Sequence, residues 1–224
     1  MVPVSAADAR PWRRRILLRL VPFALAGVML LSTSISDGTA MLRAPLLFGA
    51  DAAYSSDLRG FKKWRGALDR FARDLADPAN PDAEAWRRFV AALPAVDSVP
   101  SLLQAVNTAV NAHRYVTDPV NWGQGDYWAS PLEFLRRSGD CEDFAVAKYA
   151  ALRQLGVPAD DMRVVVLDDL QLGITHAILA VRGDAEFYIL DNQRKDVLPA
   201  ADIPHYRPIY AVNEQGWWNY YEPD

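Results

Sequence analysis

Ser138-Gly139-Asp140-Cys141-Glu142-Asp143-Phe144-Ala145 opens the stretch whose reading decides the fold, and it carries the chain's single cysteine among acids. Beyond it, Val146, Ala147, Tyr149, Ala150, Ala151, Leu152 and Leu155 leave almost no polar face. A helix that is apolar nearly all round belongs in the middle of a domain. Asp140 is placed to cap this helix, with Asp143 three residues on as a capping-box partner. Gly156 suits the left-handed position after the last turn, and Pro158 prevents continuation. Cys141 therefore falls in the first turn of a central helix.

Downstream of that helix the pattern changes to strands. Arg163–Leu167 is a β-branched run, and His176–Arg182 and Phe187–Asp191 flank Arg182-Gly183-Asp184-Ala185. Glycine at the first central position of that turn suits a two-residue type II′ hairpin. Another strand is expected near Pro208–Asn213. Upstream, from Ala52 to about Arg114, the pattern is helical. Phe61, Trp64, Leu68, Phe71 and Leu75 share one helix face, and Asp77-Pro78-Ala79-Asn80-Pro81 ends that helix. Asp82 is expected to cap a second helix carrying Trp86, Phe89, Val90 and Leu93. Ser98 caps a third with Pro100 in its first turn, and His113 near its end is expected as a dipole partner or a surface residue. Thr117–Ser130 reads as a loop in which Trp122, Tyr127 and Trp128 wall a groove or pack over the next helix, and Pro131 starts a short helical turn. Helices first, then one buried helix and an antiparallel sheet, make the class α+β.

The whole chain sets bounds on function. Its 224 residues, 51% of them hydrophobic, suffice for a sizeable core, and a net charge of −4 gives no footprint for nucleic acid. One cysteine excludes an internal disulfide, and three well-separated histidines argue against zinc. Residues 1–40 differ in character: Arg13-Arg14-Arg15 and Arg19 precede the uncharged run Leu20–Leu31 and then Ser32-Thr33-Ser34. This reads as an export signal, too short for a membrane span of about 20 residues, or alternatively as an uncleaved N-terminal anchor or a buried helix. The remaining domain is expected over 52–224, with a helical part at 52–137 and the cysteine helix and sheet at 138–224.

The expected hairpin has a chemical consequence. With Gly183-Asp184 as its loop, Arg182 faces Ala185 and, counting back, His176 faces Asp191. Opposed residues have Cβ atoms roughly 4.5–5.5 Å apart on one face of the sheet. Ile178 with Ile189, and Ala180 with Phe187, continue that face as an apolar patch for the cysteine helix. Cys141, His176 and Asp191 thus form a candidate triad. A helix N-terminus lowers a thiol's pKa, a histidine takes its proton, and an acid fixes the histidine's tautomer. The opposing reading is plain: a lone cysteine is more often a small buried hydrophobe, and a lone strand histidine a core residue. The acids around Cys141 also oppose thiolate formation, unless a hard cation such as calcium is bound among them.

These residues carry a resemblance. Asp126-Tyr127-Trp128, Pro131, Glu133, the Gly139–Ala145 block, Lys148, His176-Ala177 and Asp191-Asn192 together resemble the bacterial transglutaminase-like cysteine proteinases, and among them the periplasmic LapG type. The resemblance implies a papain/transglutaminase-like fold with Cys141 as nucleophile, His176 as base and Asp191 as orienting acid. It implies calcium dependence, with Asp140 and Glu142 as ligands. It also implies a periplasmic endopeptidase that cuts the N-terminal region of a large surface adhesin after paired alanines, promoting biofilm dispersal. An inner-membrane cyclic di-GMP receptor that sequesters the protease, docking a tryptophan such as Trp122 or Trp128, is implied as a partner. The same triad also serves a transglutaminase-type acyl transferase, and the fold alone serves a non-catalytic peptide-binding module. The tail Trp217-Trp218-Asn219-Tyr220-Tyr221 is expected to cover the groove or extend the sheet.

Overall fold

The structure is a computed structural model that describes residues 46–221. The basic and apolar segment at 1–40, read as an export signal, lies outside the described residues, and among the described residues no helix is long and apolar enough to cross a membrane. Among the described residues six α-helices pack on a seven-stranded sheet in which every neighbouring pair is antiparallel, in the order β1-β7-β6-β2-β3-β4-β5. The α+β class expected from the sequence is the one observed.

The helices follow the apolar periodicity closely. Helix α1 spans Lys62–Ala76, α2 Pro81–Ala91 and α3 Val99–Asn111. The Ser98 hydroxyl caps α3, accepting the Ser101 N–H at 3.3 Å. The cap of α2 is Asn80 rather than Asp82: its side chain accepts the Asp82 N–H at 2.9 Å, because Pro81 takes the first helical position. His113, expected as a dipole partner or a surface residue, directly follows the C-cap Ala112 of α3. It is half-buried, with its ring 5.0 Å from Phe134 and 6.3 Å from Phe89, and that burial lowers its pKa. The loop from Thr117 contains one further helical turn, α4 (Asp118–Asn121), before α5 (Pro131–Arg137).

Helix α6 runs Cys141–Gln154, and every residue from Asp143 to Leu152 is buried. Its inner side meets Val164, Leu179, Val181, Leu190 and Val212 of the sheet, with Trp64, Trp86 and Leu103 completing the larger core. Burying a side chain of this size contributes roughly 1.5–3 kcal/mol, so this layer fixes where the helix starts. Gly139 precedes it for a steric reason: a Cβ there would collide with the Asp143 carboxylate.

The strands are β1 (Asp51–Ser55), β2 (Met162–Asp169), β3 (Ile174–Arg182), β4 (Phe187–Leu190), β5 (Leu198–Pro199), β6 (Tyr206–Val212) and β7 (Trp217–Tyr221). The aromatic tail extends the sheet as β7, and β1 covers its free edge, with Asp51 opposite Tyr221 and Ser55 opposite Trp217. Residues 52–55 were expected at the start of the helical part and are strand instead.

The β3–β4 hairpin differs from expectation in two respects. Its loop has four residues, Gly183–Glu186, closed by the Gly183 N–H on the Glu186 carbonyl at 2.6 Å, so Arg182 faces Phe187. The register is therefore shifted by two: Leu179 faces Leu190, and His176 is not directly opposite Asp191. A shift of two keeps every side chain on its face, whereas a shift of one would have separated the pair. The apolar patch also points the other way. Ile178, Ala180, Phe187 and Ile189 pack with Val165, Leu167, Ile203 and Tyr206 in a second core on the side away from α6. The sheet is buried on both faces, and its N-terminal and C-terminal coverings form that second core.

Candidate active site

The site lies where α6 begins against the start of β3. Cys141 is a free thiol, partly buried in the first turn. Its sulfur receives the N–H of Ala177, the amide joining Ala177 to His176, and donates to the Glu142 carboxylate at 3.3 Å. Burial raises the thiol's pKa first of all. Glu142 adds to the rise through charge and hydrogen bond, while the Ala177 N–H opposes it. The objection raised by the flanking acids is therefore real in the structure.

His176 and Asp191 are brought together directly. His176 Nε2 lies 2.8 Å from Asp191 Oδ1, with both side chains buried. The two-residue register shift places Asp191 diagonally, within reach of the longer imidazole. Burial pushes the Asp191 carboxyl up, but hydrogen bonding and charge from His176, then Tyr206 and the Gln193 amide, hold it below the ordinary value. Tyr206 Oη donates to Asp191 Oδ2 at 2.6 Å, and the Gln193 N–H donates to Oδ1 at 2.9 Å. An ionised Asp191 makes Nε2 the protonated nitrogen of a neutral His176 and leaves Nδ1 as the acceptor. Gln193 Nε2 stands 3.5 Å from that Nδ1.

The acids form a second cluster beside the thiol. Carboxylate oxygens of Asp118, Asp126 and Glu142 lie within 4.8 Å of one another, and so do those of Asp118, Asp140 and Asp143. Asp140 and Glu142, the ligands implied by resemblance, thus belong to two sets that Asp118 joins. Asp143 is committed to structure: its carboxylate accepts the Ala129 N–H at 2.6 Å and the Asp140 N–H at 3.4 Å, the latter being the capping-box arm expected of it. The Asp140 carboxylate accepts the Asp118 N–H at 3.3 Å, and that of Asp118 accepts the Tyr127 N–H. Each of these two carboxylates still has a buried oxygen, Oδ1, without a hydrogen-bond partner. Burial, together with Asp140, raises the Glu142 carboxyl to about 8, and burial raises Asp118 and Asp140 as well. Unpartnered carboxylate oxygens in a crowded acidic pocket are the donor set of a hard cation. The residues present fit calcium.

The tryptophans separate. Trp128 is 7% exposed and sits edge-on to Trp64 at 6.4 Å, so it is core. Trp122 keeps some surface, with Arg137 over its ring at 4.5 Å and Tyr127 at 4.6 Å. Three neighbours escaped the sequence reading. Asp118 could have been sought as a buried acid in an Asp-Pro turn, and Gln193 as the residue two past Asp191. Nothing local marked Tyr206, which reaches Asp191 from another strand.

Comparison with known proteins agrees with this geometry. Residues 82–220 match the family model for the bacterial transglutaminase-like cysteine proteinases. The fold matches solved structures of Legionella pneumophila LapG. One is 31% identical at a TM-score of 0.53, covering 71% of this chain and 86% of that one. The calcium-bound form is 32% identical at a TM-score of 0.54, covering 70% and 87%. The EGTA-treated form is also 32% identical at 0.54, covering 71% and 84%. No curated protein sequence matches the chain. A cysteine at the start of a buried helix, a buried histidine–aspartate pair and this match together make the chain a member of the bacterial transglutaminase-like cysteine proteinase family, a cysteine protease.

Proposed function

We propose that the protein is a calcium-dependent periplasmic endopeptidase that cuts the N-terminal region of a large surface adhesin and so promotes biofilm dispersal. The observation that carries the catalytic part is the buried His176–Asp191 pair with the Cys141 sulfur on the very next amide. Cys141 is the nucleophile, His176 the base and Asp191 the orienting acid. Cys141 gives its proton to His176 Nδ1, and its sulfur attacks the scissile carbonyl. The Cys141 N–H, free of an intrahelical partner at this position, donates to the developing oxyanion. The C–N bond breaks as His176 returns the proton to the leaving amine. Water, deprotonated by His176, then splits the thioester and restores the thiol.

Asp118, Asp126, Asp140 and Glu142 are the residues that would hold calcium. Bound there, it supplies positive charge that offsets the acids crowding the thiol. Without such an offset Glu142 accepts the thiol's hydrogen bond and keeps the proton on sulfur. The calcium-bound and EGTA-treated LapG structures support this reading. The adhesin substrate, the cut after paired alanines and periplasmic export rest on the likeness to the LapG type. So does sequestration by an inner-membrane cyclic di-GMP receptor. Trp122, the more exposed of the two candidate tryptophans, is the residue we assign to that receptor's contact.

The test is cleavage of candidate adhesin N-terminal fragments by the wild type and by Cys141→Ala, in calcium and in EGTA. Cleavage by the wild type in calcium alone is expected. Unchanged cleavage in excess EGTA removes the calcium requirement. Incorporation of a labelled amine without chain scission replaces the hydrolase by an acyl transferase.

A further inference from the structure

A cleft of about 510 Å³ lies between the start of α1 and strands β6 and β7. Phe61, Tyr210, Trp217 and Asn219 line it, together with Lys63 and Asp126. The Phe61 ring stands 5.6 Å from that of Tyr210 and 5.2 Å from that of Trp217, so aromatic surface forms most of the wall. Lys63 and Asp126 of the lining form an ion pair.

The sheet links this cleft to the thiol. Ala177 pairs with Val166, Val166 with Tyr210, and Tyr210 with Asn219, across four strands in one row. Partners in such a row point to the same face. Here it is the α6 face, because Val164, Leu179 and Val212, each two residues along its strand, pack in the α6 core. One end of the row is the residue whose N–H donates toward the Cys141 sulfur, and the other end lines the cleft. Val166, between them, is only partly buried, which makes it the floor of a shallow path. The acids give a second link. Asp126 of the cleft lining shares a cluster with Glu142, whose carboxylate accepts the thiol's hydrogen bond. A β-bulge between the Val166 and Leu167 pairings turns β6 beside the path.

We propose that this cleft is a specificity subsite that takes one bulky apolar side chain, aliphatic or aromatic, of the substrate peptide. The subsite rests on the reading of Cys141 as nucleophile. Ala177 and Tyr210 are two strands apart, about 10 Å at strand spacing, and an extended peptide advances about 3.3 Å per residue. The side chain that fills the cleft therefore belongs to a residue about three positions from the scissile bond. An acidic side chain there meets aromatic rings and loses its hydration, so it is rejected.

The experiment uses octapeptide amides centred on Ala-Ala, carrying Leu, Phe, Ala or Asp at each outer position in turn. Cleavage by the wild type in calcium is compared with that by Asn219→Trp, which fills the cleft from an exposed position, and by Phe61→Ala, which opens it. At one position about three residues from the cut, Leu or Phe is expected to exceed Asp in kcat/KM by about tenfold or more. Asn219→Trp is expected to bring that ratio to within about twofold while leaving the Ala peptide within about twofold of wild type. A second readout does not need turnover: binding to Cys141→Ala followed by tryptophan fluorescence, with and without Asn219→Trp. Binding that prefers Leu and loses the preference on Asn219→Trp supports the subsite even if the wild type cuts nothing, which would sink the protease reading alone. Cleavage with no apolar preference at that position, or a preference that survives Asn219→Trp in a folded variant, overturns the subsite.

Discussion

The two flanks of Cys141 are built in opposite ways. On one side His176, Asp191, Tyr206 and Gln193 satisfy one another, with bonds of 2.8, 2.6 and 2.9 Å converging on one buried carboxylate. On the other side Asp118, Asp126, Asp140 and Glu142 crowd together, and two buried oxygens have no partner. The chain completes the first flank by itself. In the second, burial opposes ionisation of Asp118, Asp140 and Glu142, Lys63 pairs with the exposed Asp126, and a bound cation would supply the countercharge that the buried acids lack. With the roles proposed above, His176 would be a finished base and Cys141 a conditional nucleophile.

The largest effect is expected from the unfinished flank. EGTA should abolish cleavage, and added calcium should restore it. Calcium should also raise the unfolding temperature, since a ligand at a hundred times its Kd adds about 2.7 kcal/mol to the folded state. Asp118→Asn and Glu142→Gln should lose that thermal shift, and Asp118→Asn is the sharper test because resemblance named only Asp140 and Glu142. A full calcium shift in Asp118→Asn removes Asp118 from the ligand set. Differential scanning fluorimetry in calcium and in EGTA reads this without any substrate.

The finished flank should fail differently. Asp191→Asn keeps the shape but lets His176 adopt the wrong tautomer, and the loss in kcat is expected at roughly 10³- to 10⁴-fold, as for other hydrolases that lose an orienting acid. The calcium shift in unfolding temperature should survive, because Asp191 is not among the clustered acids. If Asp191→Asn abolishes the calcium shift too, the two flanks are not independent and the contrast drawn here collapses.

What the sequence made legible follows from the same physics. Helices α1 and α3 could be read because each buries one continuous face, and α6 because it is apolar nearly all round; both are local information. The same-face relation of His176 and Asp191 survived a different turn length, because even register shifts preserve face. The turn length itself was not legible. Gly183 sits where it does because a Cβ would meet the Tyr188 ring, 2.6 Å away, and the Glu186 carbonyl, 2.9 Å away. That contact exists only after the four-residue loop has formed. Strand β1 was hidden because its pairing partner, β7, lies at the other end of the chain. Asp118 was hidden for a similar reason: it reaches the cluster through the helical turn α4, which carries no periodic signal. Tyr206 reaches Asp191 from another strand, so no spacing rule could connect them.

A smaller effect concerns Lys148, fully buried in α6 with no hydrogen-bond partner for Nζ, which stands 5.9 Å from the Phe144 ring. Burial lowers its pKa to about 7, against a weaker opposing pull from Asp191. Between pH 7 and about 10.4 the unfolded chain then binds a proton that the folded chain does not, so this group makes stability rise with pH across that window. Lys148→Met should remove the rise and stabilise the protein at pH 7 by a few kcal/mol, on the order of the shift itself. Urea midpoints of wild type and variant at pH 7, 8.5 and 10, all in saturating calcium, isolate the lysine by difference. Parallel curves would mean that Nζ keeps its charge in the core.

The smallest effect tests the finished flank from its far side. Tyr206→Phe removes the 2.6 Å bond to Asp191 Oδ2 and leaves only Arg194, with Nε at 3.7 Å, near that oxygen. The loss of a hydrogen bond to a buried charge is expected to cost about 1.5–3 kcal/mol of stability. Its pH dependence carries more information. Asp191 is held below its ordinary value, so its stabilising contribution is present above the unfolded pKa and disappears as pH falls through the folded one. Without the tyrosine the folded pKa rises toward the unfolded value, so the decline on acidification, which starts near the unfolded pKa of about 3.9 in both proteins, should be smaller in the variant and level off at higher pH. His176 still donates to Oδ1, so kcat should fall by no more than about tenfold, far less than in Asp191→Asn. A Tyr206→Phe enzyme as inactive as Asp191→Asn would show that the tyrosine, and not the histidine bond alone, keeps the carboxylate ionised.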